Sequence, residues 1–201
     1  MKEKSLKNMV LSAMFMAIGL VLPFFTGQIP QIGNMLLPMH LPVFLCGLIC
    51  GWQYGLIIGF ILPILRYFLF GMPILFPIGI SMAFELATYG LVAGLVYGLS
   101  KWKCVISLYR ALILSMVAGR IVWGIVRIFL LGLTQEAFTL KMFMAGAFFN
   151  AIPGIILQLV LIPAIMIALD KTGMAHFSKH KKLKKKPVKA ESISEYGETE
   201  E

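Results

Sequence analysis

The clearest pattern in this chain is a series of long apolar runs separated by short polar stretches. An α-helix needs about 20 apolar residues to cross a bilayer, and four runs reach that length: residues 6–25, 77–99, 108–133 and 142–169. A fifth run, residues 41–70, would be about 45 Å long as one helix, against a hydrocarbon core of about 30 Å. The pattern therefore predicts an all-α membrane protein with five or six transmembrane helices.

The distribution of basic residues decides between five and six crossings. Of the 18 lysines and arginines, eleven lie in residues 1–10 and 171–189, and basic segments stay on the cytoplasmic side of a membrane. With the N- and C-termini both cytoplasmic, the number of crossings is even. Residues 41–70 are accordingly predicted to form two helices that break at GWQYG (51–55), although glycines at every fourth position from 47 to 59 also suit one closely packed helix.

These considerations predict a six-helix membrane domain over residues 1–170. The remainder, residues 171–201, is expected to be a disordered cytoplasmic tail, because it is first strongly basic and then acidic and polar. The long outer stretch at residues 26–40 has two alternative interpretations, a lid over a binding pocket or a plain connecting loop.

Composition supports a membrane protein and argues against several other classes. Hydrophobic residues make up 59% of the 201 and charged residues 13%, about half the charged fraction of a soluble domain. The net charge is +9 and most of the basic residues lie at the two ends, which favours membrane lipids with anionic headgroups over nucleic acid as its partner. No zinc spacing, hydrolase elbow or phosphate loop occurs in the sequence. We therefore predict no metal, no cofactor and no enzymatic activity.

Polar side chains inside the apolar runs identify a candidate site. Glu85, in SMAFELATYG (81–90), has no charged neighbour between Arg66 and Lys101. A charge deep in a membrane costs about 2.5–3.5 kcal/mol on insertion scales, and it faces the bundle interior or a water-filled cavity. Counting from the helix ends places several such groups in the outer half of the membrane, where we expect one outward-open pocket. The candidate substrate-binding residues are His40, Asn34, Arg66, Glu85, Tyr89, Trp123, Arg127 and Asn150.

Glu85 is expected to pair with an arginine of the fifth helix. Arg120 and Arg127 lie two turns apart on one helical face, and the depth count assigns Arg120, like Gln158, to the inner half of the membrane. The pair could line a ligand pocket, or it could be a purely structural tie between two helices. The surplus of arginine over glutamate favours an anionic or zwitterionic ligand, because guanidinium groups bind carboxylates and phosphates through two hydrogen bonds.

Six short hydrophobic helices, two cytoplasmic ends and a long first outer stretch resemble the S components of energy-coupling factor (ECF) vitamin transporters. The similarity covers about residues 6–170 and is carried mainly by residues 37–98, by GRIVWGIVRIFLLG (119–132) and by FMAGAFFNAIPGIILQLVLIP (143–163). The sequence AMFMA contains Ala13-x-x-x-Ala17, which is similar to the surface through which the family docks on its transmembrane partner. Such small-residue pairs also pack helices within one chain.

This resemblance implies a function. An S component is a multi-pass protein of the cell membrane that binds a vitamin or vitamin precursor near the outer face, and it is not an enzyme. It docks through its first helix on a transmembrane scaffold that carries two ATPase subunits. The resemblance leans toward the pantothenate-type branch, so pantothenate is the first expectation, while similar chains are assigned to folate, riboflavin, pyridoxine, cobalamin or queuosine precursors. The rival hypothesis is a small ion-coupled secondary transporter that uses Glu85 as its protonation site and needs no ATPase.

Overall fold

The computed structural model describes residues 2–26, 37–100, 102–133 and 152–171. Within these ranges all regular structure is helical, and five helices are long and apolar enough to cross a membrane, with one shorter apolar helix. The prediction of an all-α, six-helix membrane bundle is confirmed. Asn34, Asn150 and the tail beyond residue 171 lie outside the described residues. The helices are α1 (Lys2–Val21), α2 (His40–Cys50), α3 (Trp52–Phe70), α4 (Ile80–Leu99), α5 (Val105–Leu133) and α6 (Ile152–Lys171).

The predicted break within residues 41–70 falls at Gly51. This glycine has φ of 105° and ψ of 167°, a backbone conformation that a residue with a Cβ atom rarely adopts. Helix α2 ends immediately before it and α3 begins immediately after it. With 11 residues, α2 is only about 16 Å long, so it extends through little more than half of the hydrocarbon core.

Contacts at both ends of α2 fix the directions of its neighbours. The Nδ2 atom of Asn8 in α1 donates a hydrogen bond to the carbonyl oxygen of Cys50 at 3.1 Å, so α1 and α2 run in opposite directions. Gln158 of α6 contacts Leu37, just before α2 begins, whereas Leu169 shares an apolar cavity with Leu45 and Ile49 in the second half of α2. Helix α6 therefore runs parallel to α2, and the two described chain ends lie on the same side of the bundle.

The closest packing joins α2, α3 and α4 through two rows of glycine, which we call the glycine seam. Gly47 and Gly55 both approach the backbone of Gly90, and a methyl group at Gly55 would lie 2.7 Å from the carbonyl oxygen of Gly90. Gly59 lies against the backbone of Leu86 in the same way. Small residues allow this approach of helix backbones, and the seam sets the height of α4 relative to α2 and α3.

A short outer segment joins α3 to α4. Gly71 ends α3 with φ of 70°, and its N–H donates to the carbonyl oxygen of Tyr67. An irregular turn, Leu75–Gly79, in which Phe76 has an extended backbone (φ −113°, ψ 131°), then leads into α4. The hydroxyl of Ser81 donates to two carbonyl oxygens of this turn, each at 2.9 Å. Ser81 is thus engaged in closing the turn, although it lies on the same face of α4 as Glu85.

Candidate functional site

The carboxylate of Glu85 is the centre of a buried polar group that we call the Glu85 cluster. Its Oε1 atom accepts a hydrogen bond from Nη1 of Arg120 at 3.0 Å and another from the hydroxyl of Tyr89 at 2.8 Å. Nε2 of His40 lies 3.6 Å from the same oxygen, slightly too far for a hydrogen bond. Helices α2, α4 and α5 therefore each place a polar side chain at one point inside the bundle.

Local sequence explains why these side chains meet. Glu85 and Tyr89 are four residues apart, so they lie one above the other on the same face of α4. The ring of Tyr89 packs directly over Gly119, where any Cβ atom would collide with it, and stacks on Phe44 with ring centroids 4.9 Å apart. Because Gly119 precedes Arg120, α5 approaches α4 closely at the position where its guanidinium reaches the carboxylate.

Burial makes the ion pair a strong constraint on the fold. The side chains of Glu85 and Arg120 are only 4% and 8% exposed. Removing two charges from water is expensive, and the cost is offset only when the pair is well oriented and the remaining polar atoms are hydrogen-bonded. The carboxylate meets this condition, with two donors on Oε1. The nitrogen atoms around it do not meet the condition. Among the described residues there is no hydrogen-bond partner for Nε and Nη2 of Arg120 or for either ring nitrogen of His40.

Arg66 lies at a different place, between the end of α1 and the outer segment. Its Nε donates to the carbonyl oxygen of Met72 at 3.1 Å, and its guanidinium lies 5.7 Å from the ring centroid of Phe24. The side chain is almost completely buried. Arg66 therefore holds the outer segment against the short turn that follows α1, Leu22–Thr26, away from the contacts made by Glu85.

Arg127 and Trp123 form a third polar contact, on α5. The guanidinium of Arg127 lies 5.6 Å from the ring centroid of Trp123, and the arginine side chain is half-buried. Arg127 follows Arg120 by seven residues, so it lies about 10 Å further along the helix. The sequence left Arg120 and Arg127 as alternative partners of Glu85, and in the structure the partner is Arg120. The depth count along the sequence assigns Arg120 to the inner half of the membrane and therefore leaves it out of the candidate substrate-binding residues.

Gln158 connects α6 to this site. Its Nε2 atom donates to the carbonyl oxygen of Leu37 at 3.4 Å, and the same oxygen accepts the backbone N–H of His40 at 3.1 Å. Gln158 is completely buried. Counting residues from the helix end assigns Gln158 to the inner half of the membrane as well. In the structure it instead stabilises the turn at Leu37 that brings His40 to Glu85. The spacing of polar residues along α6 does not indicate that Gln158 contacts the turn before α2.

Ala13 and Ala17, the candidate docking residues, are both exposed on α1. The opposite face of the helix is buried and includes Leu11, Phe15 and Gly19. Because every fourth residue repeats on one face, the two alanines lie on a side of α1 that does not pack on the bundle. Their small side chains are thus available to a partner helix.

The fold and the buried cluster define a helical membrane protein with a polar site between its helices. The family model described as "ECF transporter, substrate-specific component" matches residues 7–166, and the chain belongs to this family. No curated protein and no solved structure matches the chain. Members of the family are substrate-binding subunits of transporters in the cell membrane, with a small-molecule substrate and with ECF scaffold and ATPase subunits as partners, and they are not enzymes.

Proposed function

We propose that this chain captures a vitamin or vitamin precursor at the outer face of the membrane and that its particular ligand is pantothenate. The observation that carries the proposal is the Glu85 cluster, in which polar side chains of α2, α4 and α5 converge inside a substrate-binding subunit. Pantothenate is supported by the resemblance of the sequence to the pantothenate-type branch and by the surplus of buried arginine, since guanidinium groups bind carboxylates well.

The ligand pocket in this proposal extends from the Glu85 cluster toward the outer face. Arg127 and Trp123 lie further out on α5, and Arg66 lies beside the outer segment. Asn34 belongs to the stretch that precedes α2, under which the resemblance places the ligand, and the depth count along the sixth predicted helix assigns Asn150 to the outer half of the membrane. The proposed substrate-binding residues are His40, Asn34, Arg66, Glu85, Tyr89, Trp123, Arg127 and Asn150.

Delivery depends on the ECF partners. We propose that the exposed face of α1 around Ala13 and Ala17 docks on the transmembrane scaffold, and that the two ATPase subunits supply the energy. The neighbouring exposed side chains Met14 and Ile18 are apolar, so the surface can separate from its partner without exposing a charge to lipid. Ion-coupled transport by the chain alone is less well supported, because the Glu85 carboxylate is already held by Arg120 and Tyr89.

The test is to purify the full chain in native lipids and to identify bound small molecules by mass spectrometry. Uptake of labelled pantothenate is then measured in proteoliposomes with and without the ECF scaffold and ATPase subunits. We expect retained pantothenate and uptake only with ATP and all partners. Uptake by the chain alone would favour the ion-coupled mechanism, and ATP-dependent uptake of a different vitamin would reject pantothenate while supporting the transport function.

A further inference from the structure

The three arginines within the bundle differ in which guanidinium nitrogens are already engaged. Arg66 uses Nε, which donates to the Met72 carbonyl. Arg120 uses Nη1, which donates to Glu85, while its Nε and Nη2 atoms are buried and without a hydrogen-bond partner among the described residues. Arg127 lies over the ring of Trp123. Arg66 and Arg127 each leave only one buried nitrogen without a partner among the described residues, Nη1 of Arg66 and Nε of Arg127. The nitrogens left over on Arg120 are therefore a specific pair.

This pair forms one complete edge of the guanidinium group. The N–H of Nε and an N–H of Nη2 point in the same direction, at a spacing that matches the two oxygens of a carboxylate. In Arg66 the same edge is interrupted, because Nε is bonded to a backbone carbonyl. In Arg120 it is intact, because the bond to Glu85 is made by the nitrogen outside that edge.

Two features hold this edge in a defined orientation. The Glu85 carboxylate fixes Nη1, and Tyr89, which bonds the same oxygen, packs against the backbone of α5 at Gly119. His40 approaches this oxygen as well and has two buried nitrogens without a partner. Charged donors buried without an acceptor are strongly unfavourable. The arrangement therefore calls for an acceptor that the described residues do not supply.

We propose that the Nε and Nη2 edge of Arg120 binds the carboxylate of the transported solute, with His40 as a neighbouring donor. Glu85 contributes to this site by orienting Arg120. The inference rests on the proposed function and deepens it by naming the substrate class, small monocarboxylic acids, and the residue that recognises the acid group. A doubly charged phosphate fits less well, because the Glu85–Arg120 pair is neutral and only Arg127 adds positive charge nearby on α5.

The decisive comparison uses solutes that differ only at the acid group. We would measure equilibrium binding of pantothenate against panthenol, and of nicotinate against nicotinamide, to the full chain in lipid nanodiscs. The variant is Arg120→Lys, which keeps a positive charge beside Glu85 but has no two-nitrogen edge. The matched control is Arg110→Lys, at the exposed start of the same helix.

We expect the wild-type chain and Arg110→Lys to prefer the acid of whichever pair binds. Arg120→Lys should bind that acid roughly ten- to a hundredfold more weakly, and its preference over the neutral analogue should disappear, since hydrogen bonds to charged groups are lost. Equal binding of acid and neutral analogue by the wild-type chain would overturn the proposal, and so would an unchanged preference in Arg120→Lys.

The wild-type comparison remains informative even if Arg120→Lys does not fold. When neither pair binds, the molecule that co-purifies with the chain decides: a carboxylic acid supports the inference, and a solute without an acid group overturns it while the transport function stands. A chain that retains no solute and supports no uptake with its partners would remove the proposed function itself.

Discussion

Arg120 of α5 and Glu85 of α4 join two helices through a 3.0 Å ion pair in which neither side chain is more than 8% exposed. Both charges lie within apolar stretches of the sequence, and in the structure they neutralise each other. Removing one partner of such a pair is far more damaging than removing both, because a single buried charge is left without compensation. A comparison of single and double variants can therefore separate the contribution of the pair to stability from its role in binding.

Replacing one carboxylate oxygen at position 85 tests the ion pair. Glu85→Gln should lower the free energy of unfolding by about 3–5 kcal/mol, because Arg120 remains buried and charged. The double variant Glu85→Leu/Arg120→Met should recover most of that loss, but it should not bind solute because it lacks the guanidinium group of Arg120. Thermal unfolding in detergent and solute binding would be measured in parallel. A Glu85→Gln chain as stable as wild type would contradict the importance of the pair for folding.

The glycine seam should tolerate no side chain at Gly90. A Cβ atom there would meet the backbone of Gly55, so Gly90→Leu has to separate α3 from α4. Overpacking of a core typically costs about 1–3 kcal/mol, and contact with rigid backbone places this variant at or above the upper end. Gly98→Leu on the same helix is the control, since nothing lies within 4 Å of its added atom. Size-exclusion profiles after heating would compare the two variants.

Docking through α1 should be separable from solute binding. Ala13→Trp adds a large ring to the exposed face of α1 and should stop ATP-dependent uptake, while binding of solute to the isolated chain is unchanged. Val117→Trp, on the exposed face of α5, provides a control with a similar bulky addition. Undiminished uptake by Ala13→Trp would show that this face of α1 is not the docking surface.

Arg127 should act mainly on the rate of association. Its side chain is half-buried and lies about two helical turns outward from Arg120, and charges at the rim of a site steer ligands more than they retain them. Arg127→Ala should therefore weaken solute binding through slower association, with a smaller dependence on salt, in a chain that still inserts into the membrane. Stopped-flow measurements of binding would separate the two rates. An unchanged affinity would exclude Arg127 from the pocket.

Gln158 should influence the site through the backbone at Leu37. Gln158→Leu removes a hydrogen bond whose net contribution is about 0.5–1.5 kcal/mol, so a modest loss of stability is expected. Because the same carbonyl receives the N–H of His40, we also expect several-fold weaker solute binding. Gln53→Leu, at an exposed position of α3, is the matched control. Equal binding by both variants would show that the turn before α2 does not need Gln158.

The sequence by itself determined the membrane class, the number of helices and the break between α2 and α3. These properties depend on single segments, because each apolar run meets the lipid independently and a glycine can end a helix without reference to distant residues. For the same reason, Glu85 was identified as buried and in need of a partner from its isolation in an apolar run alone.

Only the tertiary structure decided which side chains meet. Arg120 and Arg127 share one face of α5, so spacing along the helix could not choose between them for Glu85. The choice depends on the height and rotation of α4 against α5, which are fixed where the ring of Tyr89 packs on the backbone of α5 at Gly119. Counting residues inward from a helix end cannot reveal these relative positions, because they arise from packing between segments that are distant in the chain.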